Sequence, residues 1–566
     1  MFPRIVPGPM RRLLPTLFSL AAIGAALYLW LGRAVRKEAA PVTDLMVLGT
    51  IHTMDPQRPR AEAALIRGGK LACVGTRSEC EKAVAGRARI VEAASWTPGL
   101  ADAHGHVASY GRALTSVRCG GAKSAEECAA RAAERARALP KGAWVRGRGW
   151  DQNLWSDGSF PSAAVLTRAV PDHPAILTRV DGHAAWLNER ALELAGIRRD
   201  TPDPAGGRIL RGEGGAPSGV LIDNAVDLAL RAVPAATEAE IEEQVLRAAG
   251  ELVKLGLTSV GDCGVGAAGL AVYRRLAEAG RLPLRVYAML DGQQPMESLR
   301  AQMAAWRATP RVGLLTVRAV KMFADGALGS RGALLFEPYA DDAGNSGLRV
   351  TAEAELKERI AEVARAGFQP AVHAIGDRAC SEVLHAYGSA DLKRLRPRVE
   401  HLQVLQPREL PLLASSGAIA SMQPTHATSD GAWAGKRLGA GTGRASGAYA
   451  WRAVLGAGAP LACGSDFPVE EPDPRLGLHA AEARLVDGQP WMPEQRLTRA
   501  EALACFTRGV AFAEHAEERR GAIRSGMEAD LTGYAADVMA VPAEELPRLR
   551  IAATIVAGKL HEWPAR

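Results

Sequence analysis

Thr97-Pro98-Gly99-Leu100-Ala101-Asp102-Ala103-His104-Gly105-His106 is an apolar run that ends in a His-x-His pair. Side chains alternate along an extended strand, so His104 and His106 share a face, about 7 Å apart along the chain, with Asp102 on it too. Two imidazoles converging from one strand suit a metal ion. Taken alone the pair is a weak signal, and its weight comes from four further apolar runs. Val317 to Gly326 places Lys321 among strand residues, with Asp325 behind it. Gln369 to His373 and Arg398 to His401 each end in a histidine, and Leu461 to Pro468 carries Asp466. A lone strand-end histidine is more often a hydrogen-bonded rim residue, Lys321 could snorkel, and Asp466 could form a turn. The order His-x-His, Lys, His, His, Asp on successive strands is far harder to produce by chance.

Ala/Leu/Arg/Glu-rich helical stretches such as 238–255 and 352–366 intervene, which is the pattern of a parallel α/β fold. About eight such units and no Gly-x-Gly-x-x-Gly turn predict a (β/α)8 barrel, with active-site residues at the C-terminal strand ends. The stretch from about 120 to 250 is long for one connection and predicts a subdomain inserted over the barrel mouth. VTDLMVLGTI (42–51), AEAALIR (61–67) and Leu71 to Val74 read as strands, with Gly68-Gly69 as a turn. Residues 529–534 and 551–557 read likewise, with Gly558-Lys559 as a turn. Strands at both ends predict one β-sandwich from 41–97 plus 516–566, leaving 98–515 to the barrel. Gly431 to Gly447 reads as a mobile loop.

With 48% hydrophobic and 23% charged residues, the 566-residue chain is globular rather than disordered. Its net charge of +7 is spread along the sequence without a basic tract, which argues against a nucleic-acid partner. Leu13 to Leu31 is uncharged and mostly apolar, flanked by Arg4, Arg11 and Arg12 and by Arg33, Arg36 and Lys37. As a helix it spans about 28 Å, enough to cross a bilayer. Residues 1–40 are therefore expected to be an uncleaved membrane anchor, with the catalytic domain extracytoplasmic. Eight cysteines without a Cys-x-x-Cys argue against a zinc ribbon or a thioredoxin motif. Cys73/Cys80 and Cys119/Cys128 stay open between disulfides and buried thiols.

PGLADAHGH (98–106), WVRGRGWDQNLW (144–155), DGHAAWLNERAL (181–192), VKMFADGALGSRGALLFEPY (320–339), AVHAIGD (371–377), VEHLQ (399–403), SMQPTH (421–426) and GSDFPVEEPDP (464–474) carry a family resemblance. The chain resembles the amidohydrolase superfamily, most closely the amidohydrolase 3 (YtcJ-like) family, which includes N-substituted formamide deformylases. The resemblance implies one or two divalent metals, usually zinc. His104, His106 and Asp466 would hold the more buried ion and His373 and His401 the second, with a carbamylated Lys321 bridging them. A single-metal site is the fallback if Lys321 stays unmodified. Asp466 would act as general base and acid for a metal-activated water. Trp150, His183, Asp325, Arg331 and His426 are candidate substrate contacts, although Trp150 also reads as a core aromatic and Arg331 as a salt-bridge partner. The expected activity is hydrolysis of a non-peptide C–N bond in an amide- or formamide-type small molecule. An esterase or deacetylase on the same site, or a catalytically dead membrane-tethered binding protein, are the alternatives, and the intact ligand set argues against the last. Homo-oligomerisation is left open.

Overall fold

Eight short strands, buried almost throughout, are the frame on which the site is built. They are β1 (Leu100–Gly105), β2 (Leu257–Val265), β3 (Arg285–Asp291), β4 (Leu315–Phe323), β5 (Gln369–Ala374), β6 (Arg398–His401), β7 (Ile419–Met422) and β8 (Leu461–Cys463). Each pairs in parallel with the next in chain order. With helices on the outer face, near-continuous apolar runs are what a parallel barrel requires. The structure, a computed structural model, describes residues 44–389 and 392–563.

The barrel is nearly closed, and the seam runs through the site itself. A parallel bridge joins Gly105 to Phe467. The Asp466 N–H donates to the His104 carbonyl at 2.7 Å, and the His106 N–H donates to the Phe467 carbonyl at 2.8 Å. Asp102, expected on the histidine face, instead accepts from the Ser465 N–H and hydroxyl and from the His104 N–H. The approach needs Gly464, because a Cβ there would lie 2.5 Å from an Asp102 oxygen and 2.7 Å from the His104 nitrogen.

The two ends of the chain meet in one seven-stranded sheet rather than in separate facing sheets. Leu531–Tyr534 pairs antiparallel with Ala88–Pro98, which runs straight into β1. The hairpin at Gly68-Gly69 forms because both residues take positive φ, the requirement of a two-residue turn that matches strand twist. The insertion covers 117–233 and carries its own six-stranded sheet and tryptophan-rich core. It ends earlier than expected, because helix Glu238–Lys254 packs on the barrel, capped by a reciprocal Thr237–Glu240 box. Gly431 to Gly447 is mostly helical rather than a loop: 431–438 lie in helix Pro424–Leu438 and 443–446 in the short helix Gly443–Ser446, with only a turn between them. Cys73 bonds Cys80 and Cys463 bonds Cys505, whereas Cys119 and Cys128 are free and buried. The expected anchor over residues 1–40 lies outside the described residues, among which no helix is long and apolar enough to cross a membrane.

Candidate active site

Asp466 is the hub of the barrel mouth. Its carboxylate oxygens lie 3.2 Å from His106 Nε2, 3.6 Å from His104 Nε2, 3.9 Å from His426 Nε2 and 4.0 Å from His401 Nδ1. The rings of His104 and His401 are 4.6 Å apart, and those of His373 and His401 4.5 Å. Lys321 Nζ sits 3.1 Å from His104 Nε2 and 4.8 Å from the centre of the Phe323 ring. The six residues expected as ligands therefore come together from five strand ends. His401 and Asp466 hold φ of 75° and 58°, left-handed backbone that non-glycine residues rarely take, and such strain clusters where a side chain must be aimed.

Each of the four barrel imidazoles is tied by one nitrogen to an oxygen acceptor. His104 Nδ1 donates to Glu400 at 2.5 Å, His106 Nδ1 to the Cys263 carbonyl at 3.0 Å, His373 Nε2 to the Gly326 carbonyl at 3.3 Å and His401 Nδ1 to Gln423 Oε1 at 2.9 Å. That is the support metal-ligating histidines need to fix tautomer and ring orientation. Ligand atoms of His104, His401 and Asp466 lie within 4.8 Å of one another. Burial, with repulsion from Lys321, pushes His104 down to about 4. It also holds His373 and His401 well below the ordinary range, so these imidazoles are neutral donors. Neutral nitrogens around a carboxylate are the donor set of a divalent transition metal, and the residues fit such an ion.

Two cavities, of about 530 and 380 Å³, share His183, His373, His401 and Asp466 in their walls. Of the candidate substrate contacts, His183 faces both and is backed by Asp223 at 2.7 Å. His426 faces the smaller one, with Nδ1 bonded to Gln403 and Nε2 left without a hydrogen-bond partner. The other three are corrections. Trp150 is fully buried in the insertion core, its indole N–H on the Leu177 carbonyl, with no face left for a substrate. Asp325 is buried and accepts the N–H groups of Leu334, Ile375 and Gly376, so it fastens the loop after β4 rather than meeting the cavity. Arg331 pairs with Asp341 at 3.1 Å and lines neither cavity.

Glu400 was missed as a functional residue. It joins His104 to Arg398, whose guanidinium it meets at 2.6 Å, and both are fully buried. The signal was present, since Arg398 and Glu400 are two opposite charges at period two in the short strand that ends at His401.

The amidohydrolase family model matches residues 94–561. YtcJ of Bacillus subtilis (strain 168) is 32% identical over 533 residues, covering 90% of this chain and 98% of that protein. The N-substituted formamide deformylase of Arthrobacter pascens is 28% identical, covering 92% and 98%. The crystal structure of an uncharacterized metal-dependent hydrolase from Pyrococcus horikoshii OT3 superposes with a TM-score of 0.73 at 26% identity, covering 89% of this chain and 99% of that one. A nearly closed parallel barrel with a histidine–aspartate cluster at its mouth and a match over most of its length together place this chain in the amidohydrolase family, as a metal-dependent hydrolase.

Proposed function

We propose that the chain hydrolyses a non-peptide C–N bond in a small amide- or formamide-type substrate. The observation that carries this reading is the Asp466 carboxylate, set within 4.0 Å of four imidazoles where two cavities meet. The similarity to a protein named as an N-substituted formamide deformylase supports the choice of bond.

His104, His106, Lys321, His373, His401 and Asp466 would hold the metal, one ion or two, with zinc the best match to this nitrogen-rich set. When bound, a divalent ion acidifies a water and polarises a carbonyl. The chain's own residues do the rest. Glu400 fixes His104 in the tautomer that presents Nε2, and Gln423 does the same for His401. Lys321 is buried, and among the described residues no carboxylate lies within 4.0 Å of its Nζ. Reaction of its free amine with CO2, with loss of a proton, would give a carbamate, an anionic oxygen ligand for the metal. Asp466, ionised among the imidazoles, accepts the proton of the attacking water and returns it to the departing amine. His183, held by Asp223, is placed to bond the substrate from the cavity side.

The test is metal content and turnover of the purified protein loaded with zinc and bicarbonate, beside Lys321→Ala and His104→Asn/His106→Asn. About two equivalents that fall in both variants, with hydrolysis of an N-substituted formamide, support the reading. Hydrolysis confined to esters would move the reading to the esterase, and no metal under any condition would overturn it.

A further inference from the structure

Resting on the hydrolase reading, we propose that the larger cavity binds an oxyanion carried by the substrate beside its scissile amide, a carboxylate or a phosphate, through Arg112, Arg146 and Arg148. All three line that cavity together with His104, His106 and Asp466. Arg146 and Arg148 stand two apart on strand Val145–Trp150, so they face the same way, while Val145 and Gly147 between and before them are buried on the other side. Arg112 comes from helix Val107–Ala113, which starts directly after His106.

Among the described residues, no carboxylate oxygen lies within 4.0 Å of any of the three. Arg112 bonds only the Ser109 hydroxyl, at 3.3 Å, and Arg148 the Val180 carbonyl, at 2.8 Å. Of the acids that act on Arg148, Asp466 and Glu470 lie beyond 4.0 Å of its guanidinium, and two other acids nearby are engaged elsewhere. Asp181 is held by Arg179 at 2.5 Å, and Glu240 closes the cap of its own helix on Thr237. Burial and repulsion from Arg112 push Arg148 down to about 10 against the pull of Asp466 and Asp181, and burial with repulsion from Arg146 lowers Arg112. Three guanidinium groups gathered in a partly buried wall without a counter-ion lack the pairing that such charges need, and a planar oxyanion supplies it by bidentate hydrogen bonds.

The other cavity fixes the direction in which the substrate lies. There Arg179 is neutralised by Asp151 and Asp181, whereas Asp430 and Glu470 carry no cationic partner within 4.0 Å among the described residues. Among the described residues, only the larger of these two cavities has guanidinium groups without an ion-pair partner in its wall, so an anion is attracted to that side of Asp466. Ile176, Val226 and Leu230 give the arginine side an apolar wall for a hydrocarbon chain.

The test is titration calorimetry of the zinc-loaded full chain with two matched pairs: N-hexanoylglycine against N-hexanoylglycinamide, and N-hexanoylethanolamine phosphate against N-hexanoylethanolamine. We expect the anionic member of at least one pair to bind at least about tenfold tighter than its neutral partner, the pair that responds naming the oxyanion. The preference is expected to fall below about twofold in Arg146→Gln/Arg148→Gln and to shrink in Arg112→Gln. In the wild type, raising NaCl from about 50 to about 300 mM should weaken the anions and not the neutral partners, a readout that needs no variant. Equal binding within both pairs overturns the proposal, as does a preference that survives in the double variant, which would place the anion on the metal. Hydrolysis is followed separately: a retained preference without turnover of any of the four compounds counts against the hydrolase reading alone.

Discussion

Glu400 never faces the cavity, yet it holds two charged partners whose demands differ. It orients His104 through a 2.5 Å hydrogen bond and neutralises Arg398, itself bonded to the Ala103 carbonyl and the Ser421 hydroxyl. Glu400→Gln keeps an acceptor for the imidazole but strands the guanidinium. Metal affinity should fall by about 10- to 100-fold in a chelator competition, and stability by about 3–5 kcal/mol in urea melts. Asp466→Asn removes the proposed proton acceptor while keeping the side chain's shape. Turnover should fall by about 10²- to 10⁴-fold with the native fold retained by circular dichroism. An Asp466→Asn enzyme of wild-type kcat would assign the proton transfer elsewhere.

At the scale of the element, the β8 segment shows how close packing places the Asp466 side chain. Gly464→Ala should push the segment off β1, because its Cβ would meet Asp102 and the His104 backbone, neither of which can retreat. Expected are a lower melting temperature and a weaker metal site together, and a variant with normal metal affinity would show that the seam has slack. On another element His515 sits at φ 53° with its Nε2 unpartnered, and burial with repulsion from Arg318 and Arg396 pushes it down to about 4 from the ordinary 6.5. A lowered histidine pKa means the unfolded chain binds the extra proton between these values. The stability is therefore complete above about pH 6.5 and lost as pH falls towards 4, at no more than about 1.4 kcal/mol per unit. His515→Asn, which tolerates the left-handed backbone, should flatten the fall in urea midpoint between pH 7 and pH 5. An unchanged slope would clear His515 of the effect.

Across the whole molecule, the proposed ligand set spans five strand ends on either side of the barrel seam, so an ion there would tie distant parts of the chain together. Removing metal with a chelator should lower the melting temperature, and zinc should restore it in proportion to its concentration, as binding to the native state alone requires. The barrel is also tied to the terminal sheet by Arg285, bidentate to Asp530 at 2.6 and 3.1 Å and buried. Asp530→Asn should cost about 1–3 kcal/mol in urea melts, since Glu528 still pairs with Arg285 at 3.1 Å, without altering metal stoichiometry, because the pair lies away from the site.

The barrel strands, and the six residues that the structure gathers at the mouth, were legible in the sequence. A buried parallel strand must be an apolar run, and a ligand must stand at its end, so both leave a local mark. Trp150, Asp325 and Arg331 left marks too, but nothing local says whether an indole points into a core, whether a carboxylate caps backbone N–H groups, or whether a guanidinium has found Asp341. Glu400 and the Cys463–Cys505 bond were hidden for the same reason: their partners lie far along the chain. The glycines of 431–447 predicted a loop, yet tertiary packing of Trp433, Ala434 and Leu438 made much of it a helix against local preference. What the sequence alone determined was the period of burial and the kinds of ligand. What only the tertiary structure decided was which of those side chains share a point in space, because that depends on contacts between strands, and no local pattern records them.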